Sequence, residues 1–323
     1  MQKILVTGGC GFIGSNFVRM LLAQTDMEVV NLDLLTYAGN LENLKDVGDN
    51  KRYTFIKGDI ANKPDADKAM KGIDTVISFA AESHVDNSIN DSEPFIRTNV
   101  SGTKVMLDCA RKNNVERFCQ IGTDEVYGSV EKGASTEKDR LEPRNPYSAT
   151  KAASDLLALS YANTYGMNVV VTRSSNNYGP YQYPEKVIPL FVTNILEGKK
   201  VPLYGTGTNI RDWLHVDDNC RGILRVAEKG KKGEIYNIGG GNEVTNIDLT
   251  KKILRLMGKG EESIERVADR KGHDIRYSLD SSKLGKLGWA PKKNFEQGLK
   301  ETVDWYRNNS WWWKPLKQKG VKK

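Results

Sequence analysis

The sequence predicts an α/β protein built on a doubly wound parallel sheet, with a smaller mixed α/β unit behind it. Strand-like and helix-like segments alternate through the first half, a glycine-rich turn joins the first strand to the first helix, and the composition changes after residue 173. The first pair is a strand at 3–7 and a helix at 13–23, followed by a strand at 29–32. A strand at 53–57 leads to a helix at 65–70, and one at 75–79 leads to a long helix at 95–111. The next elements are a strand at 117–121, a helix at 146–165 and a strand at 168–173, whose Val169-Val170-Val171 run suits a sheet covered on both faces. Beyond residue 173, loops rich in Asn, Gly, Pro and Tyr separate shorter elements at 187–196, 217–228, 234–238, 247–256 and 295–307. The strand–helix–strand character of 213–237 lets that stretch rejoin the first sheet. The expected division is therefore 1–173, rejoined by parts of 211–240, and 174–323.

The 323 residues leave room for about two domain-sized units. No apolar run approaches the ~18 residues of a membrane span. Residues 1–14 pass from a strand into the glycine turn without space for a signal peptide, so a cytoplasmic location is expected. Cys10, Cys109, Cys119 and Cys220 are too far apart for CxxC metal or redox spacing, which fits a reducing compartment. The 48 basic and 41 acidic residues leave +7, much of it in Lys314, Lys317, Lys319, Lys322 and Lys323. No basic stretch is interleaved with aromatics, so this reads as a solvated tail, and neither nucleic acid nor membrane is expected as a partner.

The turn after the first strand is Thr7-Gly8-Gly9-Cys10-Gly11-Phe12-Ile13-Gly14. Close approach of a pyrophosphate needs residues without side chains, and the helix that follows offers free N–H groups and a positive dipole end. Glycines also make plain turns, but here the second strand ends in Asp33, about 20 residues on, where a carboxylate accepts ribose hydroxyls. Such a carboxylate repels a 2′-phosphate, and no arginine stands beside it, so NAD is expected over NADP. This is a Rossmann-type arrangement. The later strands end in Gly58-Asp59-Ile60 and Phe79-Ala80-Ala81-Glu82-Ser83, placed to line the crevice at the carboxyl edge. Asp59 also reads simply as a turn residue.

Tyr147 and Lys151 are four apart and share one helix face, where an ammonium lowers a phenol's pKa and makes Tyr147 a base for a sugar hydroxyl. With the NAD site, this pair resembles the extended short-chain dehydrogenase/reductase family. The fifth strand runs into Thr123-Asp124-Glu125-Val126-Tyr127-Gly128. Two adjacent carboxyls suit loss of water, one protonating a leaving hydroxyl while the other takes a proton from the neighbouring carbon. An acidic loop at a strand end is the plainer reading of the same residues.

The stretch resembles the signature of the nucleotide-sugar 4,6-dehydratase branch, most closely its members acting on dTDP-glucose, and the likeness runs nearly end to end. It is carried by Leu35-Thr36-Tyr37-Ala38-Gly39-Asn40-Leu41, Ala81-Glu82-Ser83-His84-Val85-Asp86, Ser175-Asn176-Asn177-Tyr178-Gly179-Pro180-Tyr181, Arg211-Asp212-Trp213 and Asp269-Arg270-Lys271-Gly272-His273-Asp274. The resemblance implies that Thr123 and Ser83 hydrogen-bond the sugar, that Asp124 is the acid at C6 and Glu125 the base at C5, and that Tyr147 is the base at the C4 hydroxyl. It adds Leu34, Leu35, Thr36, Thr98 and Asn177 to the NAD site. The nucleotide diphosphate would be clasped by Asn176, Lys186, Val187, Pro202, Leu203, Tyr204, Arg211, Asn246, Asp269, Arg270 and His273, with the planar guanidiniums suited to phosphate oxygens. A homodimer is also implied, through the two long helices, with Phe95, Val100, Val105, Met106 and Leu107 on one and Ala152, Leu156, Leu159 and Ala162 on the other. Asn87 departs from the pattern, which commonly has arginine after His84-Val85-Asp86.

His84 and His215 read as structural side chains, and no metal site is expected. Trp311-Trp312-Trp313 reads as an aromatic seal or as exposed stickiness. The expected activity is conversion of a nucleotide-activated glucose to a 4-keto-6-deoxy sugar for deoxysugar biosynthesis, rhamnose included. The rivals are a UDP-glucose 4,6-dehydratase, an epimerase or decarboxylase on the same fold, and a catalytically silent NAD-sensing or RNA-binding protein. The last would not require Thr123, Tyr147 and Lys151 together.

Overall fold

Strand formation follows the runs of β-branched and aromatic residues, and helices fill the spaces between them. The computed structural model describes residues 1–269 and 273–320. Its strands are β1 (Lys3–Thr7), β2 (Glu28–Asp33), β3 (Tyr53–Lys57), β4 (Thr75–Ser78), β5 (Arg117–Thr123), β6 (Val169–Ser174), β7 (Asn176–Tyr178), β8 (Val201–Tyr204), β9 (Ile210–His215), β10 (Ile235–Ile238), β11 (Glu243–Thr245) and β12 (Ile264–Val267). The helices are α1 (Phe12–Gln24), α2 (Lys63–Ala69), α3 (Val85–Asn90), α4 (Glu93–Phe95), α5 (Thr103–Lys112), α6 (Pro146–Tyr165), α7 (Val187–Leu196), α8 (Val216–Lys229), α9 (Asn246–Leu256), α10 (Ser282–Gly285), α11 (Phe295–Asn308) and α12 (Ser310–Gly320). No described helix is long and apolar enough to cross a membrane.

Seven strands form one parallel sheet in the order β3-β2-β1-β4-β5-β6-β10. Strand order reverses between β1 and β4, which opens a crevice at their carboxyl ends. Ile4 and Val6 pack on one face with Phe17 of α1 and Ile223 of α8, while Leu5 packs on the other with Met106 of α5 and Ala158 of α6. Both faces are thus buried, as the valine run of β6 requires. The late strand β10 pairs with β6, so the stretch around 235–238 lies in the main sheet. The remaining strands make a three-stranded sheet, β11-β9-β7, and a parallel pair, β12-β8, around a third core that holds Phe191, Leu249, Leu299 and Trp313.

The expected single helix at 95–111 is interrupted. Between α4 and α5 the chain makes a π-helical turn over Ile96–Gly102. The widened turn holds Asn99 inside, where its amide bonds the Glu82 backbone in both directions (2.9 and 3.1 Å) and donates to Thr150 Oγ1 at 3.0 Å. Phe95, Met106 and Leu107 are consequently buried within the chain. The tail also differs from a solvated end. Trp312 and Trp313 are buried, Trp311 is half-exposed, and Lys317 bonds Asn194 Oδ1 and Glu197 Oε2, each at 2.8 Å. Lys322 and Lys323 lie outside the described residues.

Under the crevice, Arg173 of β6 donates to Asp155 Oδ2 of α6 at 2.9 Å, and both side chains are buried. Its guanidinium also lies 4.8 Å over the Tyr127 ring. Breaking a buried pair strands a charge, so Arg173→Met should destabilise the protein by about 3–5 kcal/mol in urea unfolding. Adding Asp155→Leu should recover only part of that loss, because Asp155 also faces the Lys151 ammonium, and equal instability of the single and double variants would contradict the pairing.

Candidate active site

Gly8 has φ +69°, and a Cβ there would stand 2.8 Å from the Ala80 backbone at the end of β4. At Gly14 a Cβ would stand 2.3 Å from the Gly8 carbonyl oxygen, so only glycine lets α1 pack on β1. Gly11 begins α1 without a side-chain cap. The first turn of the helix therefore presents N–H groups to a cavity of about 260 Å³ walled by Gly8, Gly11, Phe12, Ile13 and Gly14.

Asp33 lines the same cavity beside the glycine turn. Its Oδ2 accepts from Cys10 N and its Oδ1 from Leu35 N, each at 2.8 Å. Burial pushes this carboxyl up, and the two N–H groups act against that. Each oxygen keeps a lone pair for a ribose hydroxyl. Leu34, Thr36, Asp59, Ile60, Phe79, Ala80, Ala81, Glu82, Ser83 and Thr98 complete much of the wall. These donors fit a dinucleotide. Two expected members stand elsewhere. Leu35 has φ +59°, which turns its side chain into the core beside α1, and the Asn177 amide turns back to donate to Ser175 O at 2.9 Å.

α6 starts with Pro146 behind Asn145, whose Oδ1 accepts from Ser148 N at 2.9 Å in a reciprocal capping box. The next turn sets Tyr147 and Lys151 on one face, both lining the first cavity. Lys151 donates to Ile121 O at the end of β5. Burial pushes its ammonium down, and the neighbouring Asp155 carboxylate acts upward. The expected lowering of the Tyr147 phenol by Lys151 is not what this geometry produces. Burial and then the charge of Glu125 raise it well above 10, and only a hydrogen bond with Thr123 lowers it.

At the end of β5, Thr123 Oγ1 caps the following tight turn, accepting from Glu125 N at 3.3 Å, and it lies 3.2 Å from Asp124 Oδ1. The two acids then diverge. Asp124 is driven well up by burial, with the charges of Glu125 and Asp212 adding to it. Glu125 is also raised by burial, but Arg211 and Lys186 act against the rise. The cations make Glu125 the readier of the two to ionise and leave Asp124 the readier to keep its proton, an arrangement suited to paired acid–base work.

Glu125 faces a second cavity of about 340 Å³, which shares Ser83, Glu185 and Lys186 with the first. Its wall contains Asn176, Val187, Pro202, Leu203, Tyr204, Arg211, Asn246 and His273. Asp269 stands behind the wall, 2.7 Å from His273 Nδ1, and Arg270 lies outside the described residues. Arg211 is fixed by donation to Asp274 O at 3.0 Å and by the Tyr277 ring at 4.4 Å. Sequence reasoning missed Glu185, Asp274, Tyr277 and Trp312. Glu185 accepts from Tyr37 OH at 3.1 Å across 148 residues, a meeting that no local spacing signals. His84 and His215 cap α3 and α8, accepting from Asn87 N and Asp217 N at 3.3 and 3.2 Å. Among the described residues no His/Cys/Asp/Glu cluster could hold a metal ion.

The sequence model of a family described as GDP-mannose 4,6 dehydratase matches residues 5–302. A dTDP-glucose 4,6-dehydratase of Streptomyces antibioticus is 53% identical over 98% of this chain and 96% of its own. The crystal structure of DesIV, a dTDP-glucose 4,6-dehydratase from Streptomyces venezuelae with NAD and TYD bound, superposes with a TM-score of 0.96 at 52% identity, covering 98% of this chain and all of that one. A UDP-glucose 4-epimerase of Thermus thermophilus in complex with NAD has a TM-score of 0.88 at 31% identity, covering 95% of this chain and 100% of its own.

The placement of Asp33 predicts tighter binding of NAD than of NADP by calorimetry. Asp33→Asn keeps the shape and removes the charge, so it should weaken NAD and narrow the gap to NADP by about tenfold or more. Equal discrimination in the variant would contradict this role.

Proposed function

The chain belongs to the family described as GDP-mannose 4,6 dehydratase, and on that premise we propose that it is an NAD-dependent hydro-lyase converting dTDP-glucose to its 4-keto-6-deoxy form. The observation that carries the reading is the adjacent Asp124–Glu125 pair beside Tyr147 and Lys151, its two carboxyls both raised by burial, with Arg211 acting against the rise in each and Lys186 in Glu125 alone. Bound NAD supplies a hydride acceptor for C4 and, once reduced, a donor for C6. The protein's own groups move the protons. Tyr147, with Thr123 beside it, takes the proton of the C4 hydroxyl; Glu125, facing the sugar side, takes the C5 proton that a C4 ketone acidifies and returns a proton to C5 when C6 receives the hydride; Asp124 protonates the C6 hydroxyl as it leaves. Lys151 holds the nicotinamide end, and Ser83 bridges the two cavities as a sugar contact.

In this reading residues 1–173 with parts of 211–240 hold NAD, and the rest of 174–323 holds the nucleotide diphosphate, with Arg211 and Lys186 as its cations. A UDP-glucose 4,6-dehydratase is the alternative, and the relatives named for dTDP-glucose at 53% and 52% identity favour the first reading. Epimerisation needs no paired acid and base, and the epimerase relative is the more distant at 31% identity. The exposed Leu156 (57%) of α6 and Ile96 (44%) of the π-helical turn that packs on α6 support a homodimer through these elements. A cytoplasmic setting is supported by the four free, buried cysteines, whose Cys10 and Cys119 thiols burial pushes up to about 12.

The roles separate two half-reactions. Asp124→Asn and Glu125→Gln should slow water loss by about 10²–10⁴ while sparing C4 oxidation, and Tyr147→Phe should slow oxidation itself. Single-turnover absorbance of the nicotinamide distinguishes them: the first two variants should accumulate the reduced signal and the third should not. The same loss of signal in all three would contradict the assignment.

A further inference from the structure

The C-terminal helix reaches back to the dinucleotide loop. α12 is anchored in the third core by Trp313, whose Nε1 donates to Tyr306 O at 2.8 Å, and by the buried Leu316. The preceding residue, Trp312, packs in the same core and also lines the first cavity. Its Nε1 donates to Asn43 Oδ1 at 2.7 Å, and the Asn43 amide donates to Cys10 O at 2.8 Å. Cys10 lies inside the glycine turn, and its own N–H is held by Asp33. A three-bond chain therefore runs from the tail to the loop and on to the Asp33 carboxylate in the cavity's wall, with every member buried.

The surroundings brace this chain from both units. Arg19 of α1 donates to Asn43 O and lies 4.0 Å over the Tyr181 ring. Tyr181, held at φ +68°, packs its ring on Trp305 and Trp312 with centroids 4.6 and 5.7 Å away. Asn16 of α1 donates to Pro180 O at 3.1 Å. A non-glycine residue in the left-handed region persists only where its neighbours hold it, and here they hold it against the helix that begins the NAD site.

We propose that Trp312 is a positioning residue which, through Asn43, holds the Cys10 carbonyl and so the glycine loop in its NAD-binding shape, and thereby sets how slowly the protein releases NAD. The proposal rests on the cofactor reading above. A reaction that returns its cofactor unchanged gains nothing from release, and a clamp contributed by the end of the chain closes only when both units are assembled.

The test is a chase of radiolabelled NAD by unlabelled NAD on the full-length protein and on Trp312→Phe, Asn43→Ala and the double variant. Trp312→Phe keeps an aromatic ring and removes the donor. Trp312→Phe should release NAD about five- to tenfold faster, the effect of losing one buried hydrogen bond; Asn43→Ala, which removes two, should release it at least as fast, and the double variant no faster than the quicker single. The KM for nucleotide-sugar should stay unchanged, which separates a clamp on the cofactor from a general loosening. Unchanged release in both single variants, or independent effects that multiply in the double variant, would overturn the clamp. A wild-type protein that takes up no label after its bound nucleotide has been stripped would overturn the cofactor reading itself, a result distinct from label bound but released at the same rate by all four proteins.

Discussion

Three ionisable side chains, the buried Asp124 and Lys151 and the half-buried Glu125, meet at the carboxyl end of one parallel sheet, and their compensation organises the rest of the site. Burying a charge without partners is costly, so each is answered by a group from another element. Lys151 has the Ile121 carbonyl above and Asp155 one turn along α6, and Asp155 is in turn paired with Arg173 on the neighbouring strand. Glu125 has Arg211 and Lys186. At Asp124 burial and the charges of Glu125 and Asp212 outweigh Arg211, so its neutral form is favoured. One strand end thus presents two chemically different carboxyls.

The compensation also joins the two units. Arg211 comes from β9 and Lys186 from the residue before α7, whereas Glu125 follows β5 of the main sheet. Lys186 further donates to Ser83 O at 3.1 Å, and Glu185 accepts from Tyr37 OH, so the second unit is stitched to both sides of the crevice. The tail completes the same seam through Trp312. Electrostatics at the acid pair, closure over the glycine loop and assembly of the two units are therefore one structural problem, solved by side chains crossing the crevice.

Much of this was legible along the chain wherever a feature is local. The helix at Pro146–Tyr165 carries its own proline start and Asn145–Ser148 box, and the strand at Tyr53–Lys57 is a β-branched and aromatic run, so both have the bounds their residues imply. The Gly8, Gly11, Asp33, Tyr147 and Lys151 spacings likewise report a single turn or helix face. What escaped depends on tertiary context. The π-helical turn answers to Asn99's partners on Glu82 and Thr150, the left-handed Leu35 reverses the side chain that the motif suggests, and Trp312 meets Asn43 across 269 residues. The phenol of Tyr147 shows the same limit for electrostatics, because proximity in sequence to Lys151 does not register the burial and the Glu125 charge that dominate it.

The central claim is that one enclosed site oxidises C4, expels water between C5 and C6 and restores the cofactor without exchange. Mixing dTDP-glucose deuterated at C4 with unlabelled dTDP-glucose, and weighing and locating the label in the products, tests it most directly. The account predicts a product lighter by one water, with deuterium at C6 of the molecule that carried it at C4. A product of unchanged formula, or deuterium found in solvent or scattered among unlabelled molecules, would contradict it.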